Sequence, residues 1–548
     1  MPDPTYEQQR RSSAQRPVAS TMMDVPLRVT DIMTRAESYF SEREVVSRVR
    51  TGELESITYA GLGERARCLA AGLKALGIRP GARVATLMWN HSTHVAAFFA
   101  VPAIEAVLHT LNPRLTPEQM AYTIADAGDE AVLIDESLLP LWSEVERFVS
   151  LPHVIVNGGS SSHRPLSELL AHEPLAEWPR GPFDERAALS ICHTSGTTGK
   201  PKGVVYSHRS VMLHTIATGL SGGLDLSGND VLFTLSPMFH VNGWGMPFMA
   251  TMMGARHILP GAQIGTEEML DIVVREGVTK AFGVPTLWAN TLQAIDAHPG
   301  RWKLPENLRL YTGGAAPSSE MMRRFDRLGV VLQNGWGMTE TSPSGTRCWL
   351  KREYHEAPYD RQIEIRVSHG LPLPLVELRI ADENDAELPR DGQARGELQA
   401  RGPWVTGSYL GYPEPINAST PDGWLKTGDV AVIHPDGYLR LVDRLKDLIK
   451  SGGEWISSVD MENALLDHPA IFETAVIATP DERWGERPLA IVVLRPGRSV
   501  SADELRAHLG ARYPKWALPD RIVFVEQLPK TSVGKINKAA LRERHNGD

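Results

Sequence analysis

The chain has 548 residues with a formal net charge of −9, 42% hydrophobic and 22% charged residues, a composition that allows roughly two to four domain-sized units around a large core. The acidic balance argues against a nucleic-acid or anionic-membrane partner held by bulk attraction and leaves small molecules as the expected partners. Cys68, Cys192 and Cys348 lie far apart without C-x-x-C spacing, so neither a disulfide framework nor a zinc site is expected, and a reducing cytoplasm fits.

Residues 1–24 are polar, lack the apolar core of a secretory signal and read as a flexible leader. Leu62 to Leu76 has helical spacing, and Ala82 to Met88 and Ala131 to Ile134 are short β-rich runs, the rhythm of an α/β sheet. The apolar stretch from Val95 to Leu108 is interrupted by Pro102 and Glu105 and is too short to span a bilayer, so it reads as a buried helix and no transmembrane segment is expected. Gly158 to Ser162 reads as a surface loop. Ala188 to Cys192 reads as a buried strand that delivers a glycine-rich loop, with a helix from Ser210 to Gly219 beyond it; ligands of open α/β sheets sit at such strand ends. Ala281 to Val284 and Leu308 to Tyr311 repeat the pattern. After about Arg361 the texture changes to short strands with frequent Gly and Pro, and a second change near Asp443 opens about a hundred residues with their own α/β pattern, long enough for a separate small domain.

The glycine-rich loop is Thr194-Ser195-Gly196-Thr197-Thr198-Gly199-Lys200-Pro201-Lys202-Gly203. Glycines expose backbone N–H groups, hydroxyls add donors and lysines neutralise charge, a combination suited to a polyphosphate. A P-loop would need glycine at 194 and a hydroxyl after Lys200, where this chain has Thr194 and Pro201. Further segments are Pro237-Met238-Phe239-His240-Val241-Asn242-Gly243-Trp244, Thr312-Gly313-Gly314-Ala315-Ala316-Pro317 and Asn334-Gly335-Trp336-Gly337-Met338-Thr339-Glu340. Beyond these lie Trp424 to Asp429, Asp443 to Ser457 and Pro529 to Lys535. Gly219-Leu220-Ser221-Gly222-Gly223 satisfies G-x-S-x-G, which raises a serine hydrolase as an alternative; a helical run precedes it where the nucleophile elbow needs a strand.

In order and spacing these segments resemble the adenylate-forming superfamily, and most closely the medium- and long-chain fatty acyl-CoA synthetases. The resemblance implies an α/β fold with a β-rich subdomain: an N-terminal ATP- and acid-binding domain over 25–443, a hinge over 444–447 and a small, mobile α+β C-terminal domain over 448–548. It implies ATP-dependent conversion of a fatty carboxylic acid to acyl-AMP and then transfer to CoA, with Mg²⁺ as cofactor. Transfer to an amine or a carrier protein is the alternative within the superfamily.

By the same resemblance, Thr194 to Gly199 and Lys202 hold the phosphates, and His240 sits beside the carboxylate and α-phosphate. Gly314, Ala315, Asn334, Gly335 and Trp336 hold the adenine, Trp336 standing where many relatives carry tyrosine. Thr339 touches the α-phosphate, Glu340 and Thr194 serve Mg²⁺, and Asp429 and Arg444 grip the ribose. Val241 and Trp244 line the acyl route, with Trp244 at a gate position. Lys446 marks the pivot, Lys450 and Trp455 contact the adenylate, Gly452 and Gly453 pass the pantetheine, and Lys535 is the catalytic lysine. Ser20 to Asp24 resembles the N-terminal region of the dimeric synthetases and makes a homodimer the expectation.

Overall fold

The computed structural model describes residues 20–49, 51–159, 162–194, 200–412, 419–452, 454–531 and 536–545. Residues 1–19, Ser160, Ser161, Ser195 to Gly199, Gly453 and Ser532 to Lys535, all named above, lie outside these ranges.

Two seven-stranded sheets share one spatial pattern of five parallel strands and an edge hairpin, although the hairpin follows the other strands in the chain of the first sheet and precedes them in the second. The first runs Arg164–Pro165, His153–Asn157, Asp129–Asp135, Arg83–Leu87, Val107–Thr110, Ala188–His193, Gly203–Ser207; all neighbours are parallel except the last pair. The second runs Val331–Gln333, Arg309–Thr312, Lys280–Gly283, Val231–Thr234, Arg256–Leu259, Glu44–Arg48, Leu54–Thr58, again with only the last pair antiparallel. Central strands such as Val107–Thr110 and Lys280–Gly283 are buried at every position, which is why they read as short apolar runs rather than alternating ones.

Helix Ser92–Ala103 is buried from His94 to Ala103, as expected of a helix apolar all round. Its Phe98 and Phe99 rings meet Phe248 of helix Met246–Met253 at 5.5 and 5.6 Å. The core around them also takes Val84 and Leu108 from the first sheet and Val45 and Leu259 from the second. Among the described residues no helix is long and apolar enough to cross a membrane.

Asn90 joins the two sheets directly. Buried in the turn after strand Arg83–Leu87, it donates Nδ2 to Thr234 O (3.0 Å) and Ser236 O (2.8 Å) and accepts from Met238 N at 2.7 Å. The stretch from Thr234 to Met238, which leads into His240, is thereby hung on the first sheet.

The texture change at Arg361 is later than expected, because Tyr359–Val367 is a helix with Ile363 and Ile365 buried. The β-rich part is a four-stranded antiparallel sheet, Glu377–Ala381, Gly396–Arg401, Leu425–Ile433 and Leu439–Arg444. The chain leaves it at Arg444 and enters a separate five-stranded sheet at Ile449. That C-terminal sheet pairs Ile471–Asp481 with Gly485–Leu494 and packs against helix Ser458–Leu466. Asp443 Oδ2 accepts from Ser458 N (2.6 Å) and Ser458 Oγ (2.7 Å), placing a carboxylate at a helix N-terminus, where the dipole favours it.

Asn90→Ala removes three hydrogen bonds and strands buried partners, so it should lower stability by about 2–4 kcal/mol, read as an earlier urea midpoint. An unchanged midpoint would deny Asn90 its joining role.

Candidate active site

Strands Ala188–His193 and Gly203–Ser207 form a hairpin with His193 opposite Gly203. At its mouth Thr194 N donates to Lys202 O (3.0 Å), and Lys202 N donates to Thr194 Oγ1 (3.2 Å). The two lysines beside the mouth lie on aromatic faces, Lys200 Nζ 5.1 Å from the Tyr122 centroid and Lys202 Nζ 4.9 Å from that of Tyr409. Such contacts hold an ammonium group without neutralising it.

Tyr409 also reaches the acidic turn. Its hydroxyl donates to Glu340 Oε1 at 2.7 Å, while Thr406 N donates to Glu340 O at 2.8 Å. Burial, with the adjacent carboxylate, pushes the Tyr409 phenol well above its usual range, so it remains a donor. From the hairpin itself Tyr206 Oη donates to Thr339 O at 2.7 Å. Thr339 and Glu340, both buried in one turn of 3₁₀ helix, are therefore bound to the strand beside the phosphate loop from one side and to the Thr406–Tyr409 segment from the other.

The turn is reached through Gly337, where a Cβ would lie 1.8 Å from Pro343 O; backbone passes too close for any side chain. Asn334 donates Nδ2 to Val367 O and Ser368 O, each at 3.1 Å, and leaves its buried Oδ1 without a partner. An orphaned acceptor of this kind fits an exocyclic amine. Trp336 donates Nε1 to Asp429 Oδ2 at 2.8 Å, and Arg444 Nε lies 3.2 Å from Asp429 Oδ1. Asp429 and Arg444 are opposite each other on adjacent strands. Gly314, at φ +85°, and Ala315 are exposed nearby in sequence to the buried Thr312 and Gly313.

His240, half-buried, opens an unusual turn. Val241 to Gly245 all have φ between +50° and +72°. For non-glycine residues this conformation costs about 1–2 kcal/mol each, and for a β-branched valine it is a genuine outlier. Asn242 holds the turn: its Nδ2 donates to Ser190 Oγ (2.8 Å), and Cys192 Sγ donates to its Oδ1 (3.3 Å). Both partners lie on strand Ala188–His193, which leads into the glycine-rich segment. The turn aims Trp244 onto Phe282, with centroids 4.5 Å apart, and over Gly313, whose Cβ would sit 3.1 Å from the indole.

A hairpin whose mouth carries two lysines, a buried carboxylate turn and a second buried carboxylate beside an arginine thus occur on one framework. The profile described as AMP-binding enzyme matches residues 34–410, and that of the AMP-binding enzyme C-terminal domain matches 460–535. The chain belongs to the AMP-binding enzyme family. It is 46% identical over 531 residues to a long-chain-fatty-acid–CoA ligase of Thermus thermophilus, covering 96% of this chain and 97% of that protein. It is 39% identical to a medium-chain-fatty-acid–CoA ligase of Ectopseudomonas oleovorans over 96% of this chain and 97% of that one. In fold it is similar to the anthranilate CoA ligase AuaEII, solved with anthranoyl-AMP, at a TM-score of 0.84, 24% identity and coverage of 95% and 98%. ATP-bound MatB from Rhodopseudomonas palustris gives a TM-score of 0.80 at 26% identity, covering 95% of this chain and 99% of that one.

The expected residues come from several parts of the chain. The structure gathers Thr194, Lys202, Thr339 and Glu340, and separately pairs Trp336, Asp429 and Arg444. Lys446 is exposed on the segment between the two small sheets, its pKa lowered chiefly by partial desolvation against the surrounding protein. Lys450 and Trp455 face each other across the hairpin Ile449–Ser451 and Glu454–Ile456, with the ammonium group 5.4 Å from the ring. Gly452, at φ +61°, turns that hairpin, and a Cβ there would strike the Trp484 ring. Trp455 is 48% exposed, and no hydrogen bond or ion pair among the described residues joins this hairpin to Thr339 or Glu340. Lys530 and Ile536 bridge across residues 532–535.

Ser221 is not a nucleophile elbow. It is exposed and follows the C-terminus of helix His208–Gly219, whereas an elbow needs a strand before it and a helix after it. Sequence reasoning missed Tyr206, Tyr409 and the clamping role of Asn242, because their partners are remote in the chain. The tyrosines carry no local signal; Asn242 stands inside a motif in which the resemblance gives roles to His240, Val241 and Trp244 alone.

Trp336→Phe keeps the aromatic face but removes a donor from Asp429. ATP affinity measured by calorimetry should fall about tenfold, and equal affinity would mean that the contact does not organise the nucleotide site.

Proposed function

We propose that the protein is a fatty acid–CoA ligase: it activates a medium- or long-chain carboxylic acid with ATP and passes the acyl group to CoA. The observation that carries this reading is the junction of Lys202, Tyr409 and Glu340. It sets cationic, neutral and anionic groups around the place where the Thr194–Gly203 loop begins and ends, a charge pattern suited to a polyphosphate. The level of identity to fatty-acid–CoA ligases supports the acyl class, and the covalent steps below follow from that reading.

In the first half-reaction a carboxylate oxygen attacks the α-phosphorus. The bond from that phosphorus to the bridging oxygen breaks, and pyrophosphate leaves with the electron pair. In the second, the CoA sulfur attacks the acyl carbon and its proton is lost to solvent; the carbon–oxygen bond breaks and AMP departs. There is little covalent chemistry for the protein to perform, so positioning and charge stabilisation dominate.

Thr194 to Gly199 and Lys202 wrap the phosphates in this reading. Thr339 and His240 lie beside the α-phosphate, Lys535 supplies positive charge to the first displacement, and Asn334 Oδ1 accepts from the adenine amine. Gly314, Ala315 and Gly335 let backbone approach the base, and Asp429 with Arg444 takes the ribose hydroxyls. Val241 and Trp244 border the acyl route. Glu340 fits Mg²⁺: it is a buried carboxylate with a phenol donor on one oxygen and no ion pair to a described residue, and this ion commonly takes one carboxylate with substrate phosphates and waters. Thr194 Oγ1 is the second protein oxygen in that reading. When bound, Mg²⁺ would neutralise phosphate charge.

The N-terminal domain spans 25–443, the hinge 444–447 and the mobile domain 448–548. Rotation about Lys446 would withdraw Lys535 after adenylation and bring Lys450, Trp455 and the Gly452-Gly453 loop to the adenylate. A cytoplasmic homodimer belongs to the same reading, motivated by the cysteine pattern and by Ser20 to Asp24.

Acid-dependent exchange of pyrophosphate into ATP across a chain-length series, with CoA products identified by mass, tests the whole. Exchange should appear only with the right acid, and CoA thioester should form stoichiometrically; an amide or carrier-bound product would move the protein to the alternative acceptor class. Lys535→Ala should cut exchange by roughly 100-fold while sparing thioester formation from supplied acyl-AMP, and equal loss in both steps would remove its role. Glu340→Gln should raise the Mg²⁺ needed for half-maximal exchange by about tenfold, whereas an unchanged Mg²⁺ curve would relocate the ion.

A further inference from the structure

Arg347 is a buried charged residue that this mechanism leaves without a task. Thr346 and Arg347 form a two-residue strand against Leu371–Pro372, and neighbouring side chains on a strand point to opposite faces. Thr346 Oγ1 accepts from Trp336 N at 2.9 Å on the nucleotide side. Arg347 enters the protein on the other side, where it is 2% exposed.

Its Nε and Nη1 are buried without a hydrogen-bond partner, and among the described residues no carboxylate lies within ion-pair reach. The guanidinium carbon is 5.5 Å from the Phe282 centroid and 5.4 Å from that of Tyr311. Gly335 passes so near that a Cβ would come within 3.1 Å of Nη1. A buried cation without a counter-charge is strongly disfavoured, and two aromatic faces offset only part of that cost. Burial accordingly pulls its pKa down to about 10, which still leaves it charged near neutral pH. Native structures rarely keep such a group unless something else completes it.

The position suggests what does. Phe282, against which the guanidinium rests, stacks on Trp244, and Trp244 in turn covers Gly313. Arg347 therefore stands behind the ring that backs the proposed acyl gate, with an unused donor on Nε and another on Nη1, each able to give a charge-assisted hydrogen bond to one anionic or carbonyl oxygen. We propose that Arg347 is a specificity-determining residue of the acyl site, binding a carboxylate, or less strongly a carbonyl, at the far end of the acyl group. The preferred substrate is then a bifunctional acid rather than a plain alkanoic acid. This rests on the assignment of His240 to Trp244 as the acid-binding segment.

The test uses the full chain with Mg²⁺, ATP and CoA, and compares kcat/KM for octanoic, 7-oxooctanoic and octanedioic acids, and for hexanoic and hexanedioic acids. The diacid should exceed the alkanoic acid of equal length by about tenfold or more at one of the two lengths, with the oxo acid between. Arg347→Met should lower the diacid-to-alkanoate ratio by about 100-fold, mainly through KM for the diacid, and Arg347→Lys should retain part of the preference. Wild-type protein that favours the alkanoic acid at both lengths overturns the proposal whether or not the variants fold. So does a folded Arg347→Met protein with the parental ratio. Absence of exchange with every acid would overturn the ligase reading, and this proposal with it.

Discussion

The arrangement of this molecule turns on the amide of Asn242. It belongs to the second sheet's side of the molecule, yet both of its hydrogen-bond partners, Ser190 and Cys192, lie on the first sheet's strand Ala188–His193. The Cys192 thiol is pushed up to about 11 by burial and stays protonated, so the donor persists across ordinary pH. An amide satisfied on both ends inside the protein is worth keeping, and losing either partner would leave a buried polar atom exposed to nothing. Strand Ala188–His193 and the left-handed turn that aims Trp244 are thus one mechanical unit.

That clamp also accounts for the strain. A run from Val241 to Gly245 with positive φ would relax if it were free, because only its glycines adopt that conformation at little cost. It is held at one end by Asn242 and packed at the other, where Gly245 lies so near His214 that a Cβ would come within 3.0 Å of the ring. Backbone strain of this kind persists where surrounding structure over-determines it, and it clusters at binding sites. Asn90 works in the same sense from the opposite direction, since it fixes the chain that enters His240.

Around these supports the charged groups divide by role. Glu340 and Asp429 keep hydrogen bonds from Tyr409 and Trp336, so each is oriented without being consumed by a short ion pair, and Arg444 approaches Asp429 only at 3.2 Å. The acidic chain as a whole does not attract polyanions; the lysines at the hairpin mouth do so locally, where aromatic faces hold them without neutralising their charge. Arg347 is the exception, a buried cation with no counter-charge among the described residues.

Much of the framework was legible in the sequence. Strand-length apolar runs such as Ala188 to Cys192 and Ala281 to Val284 announced a parallel sheet, because strands buried on both faces need no polar alternation. Small residues, lysines and a carboxylate in ordered segments announced nucleotide chemistry, because phosphates, bases and vicinal hydroxyls each demand particular donors and acceptors. Helix Tyr359–Val367 was hidden, its few buried apolar positions lying among charged neighbours. The tertiary structure alone decided that two sheets repeat one spatial strand pattern, that Asn90 and Asn242 stitch them together, that Tyr206 and Tyr409 hold the Thr339–Glu340 turn, and that Arg347 is buried unpaired. The reason is range: a motif records which groups a ligand needs within a few residues, whereas hydrogen bonds such as Tyr206 to Thr339 join residues far apart in the chain, and no local spacing specifies them.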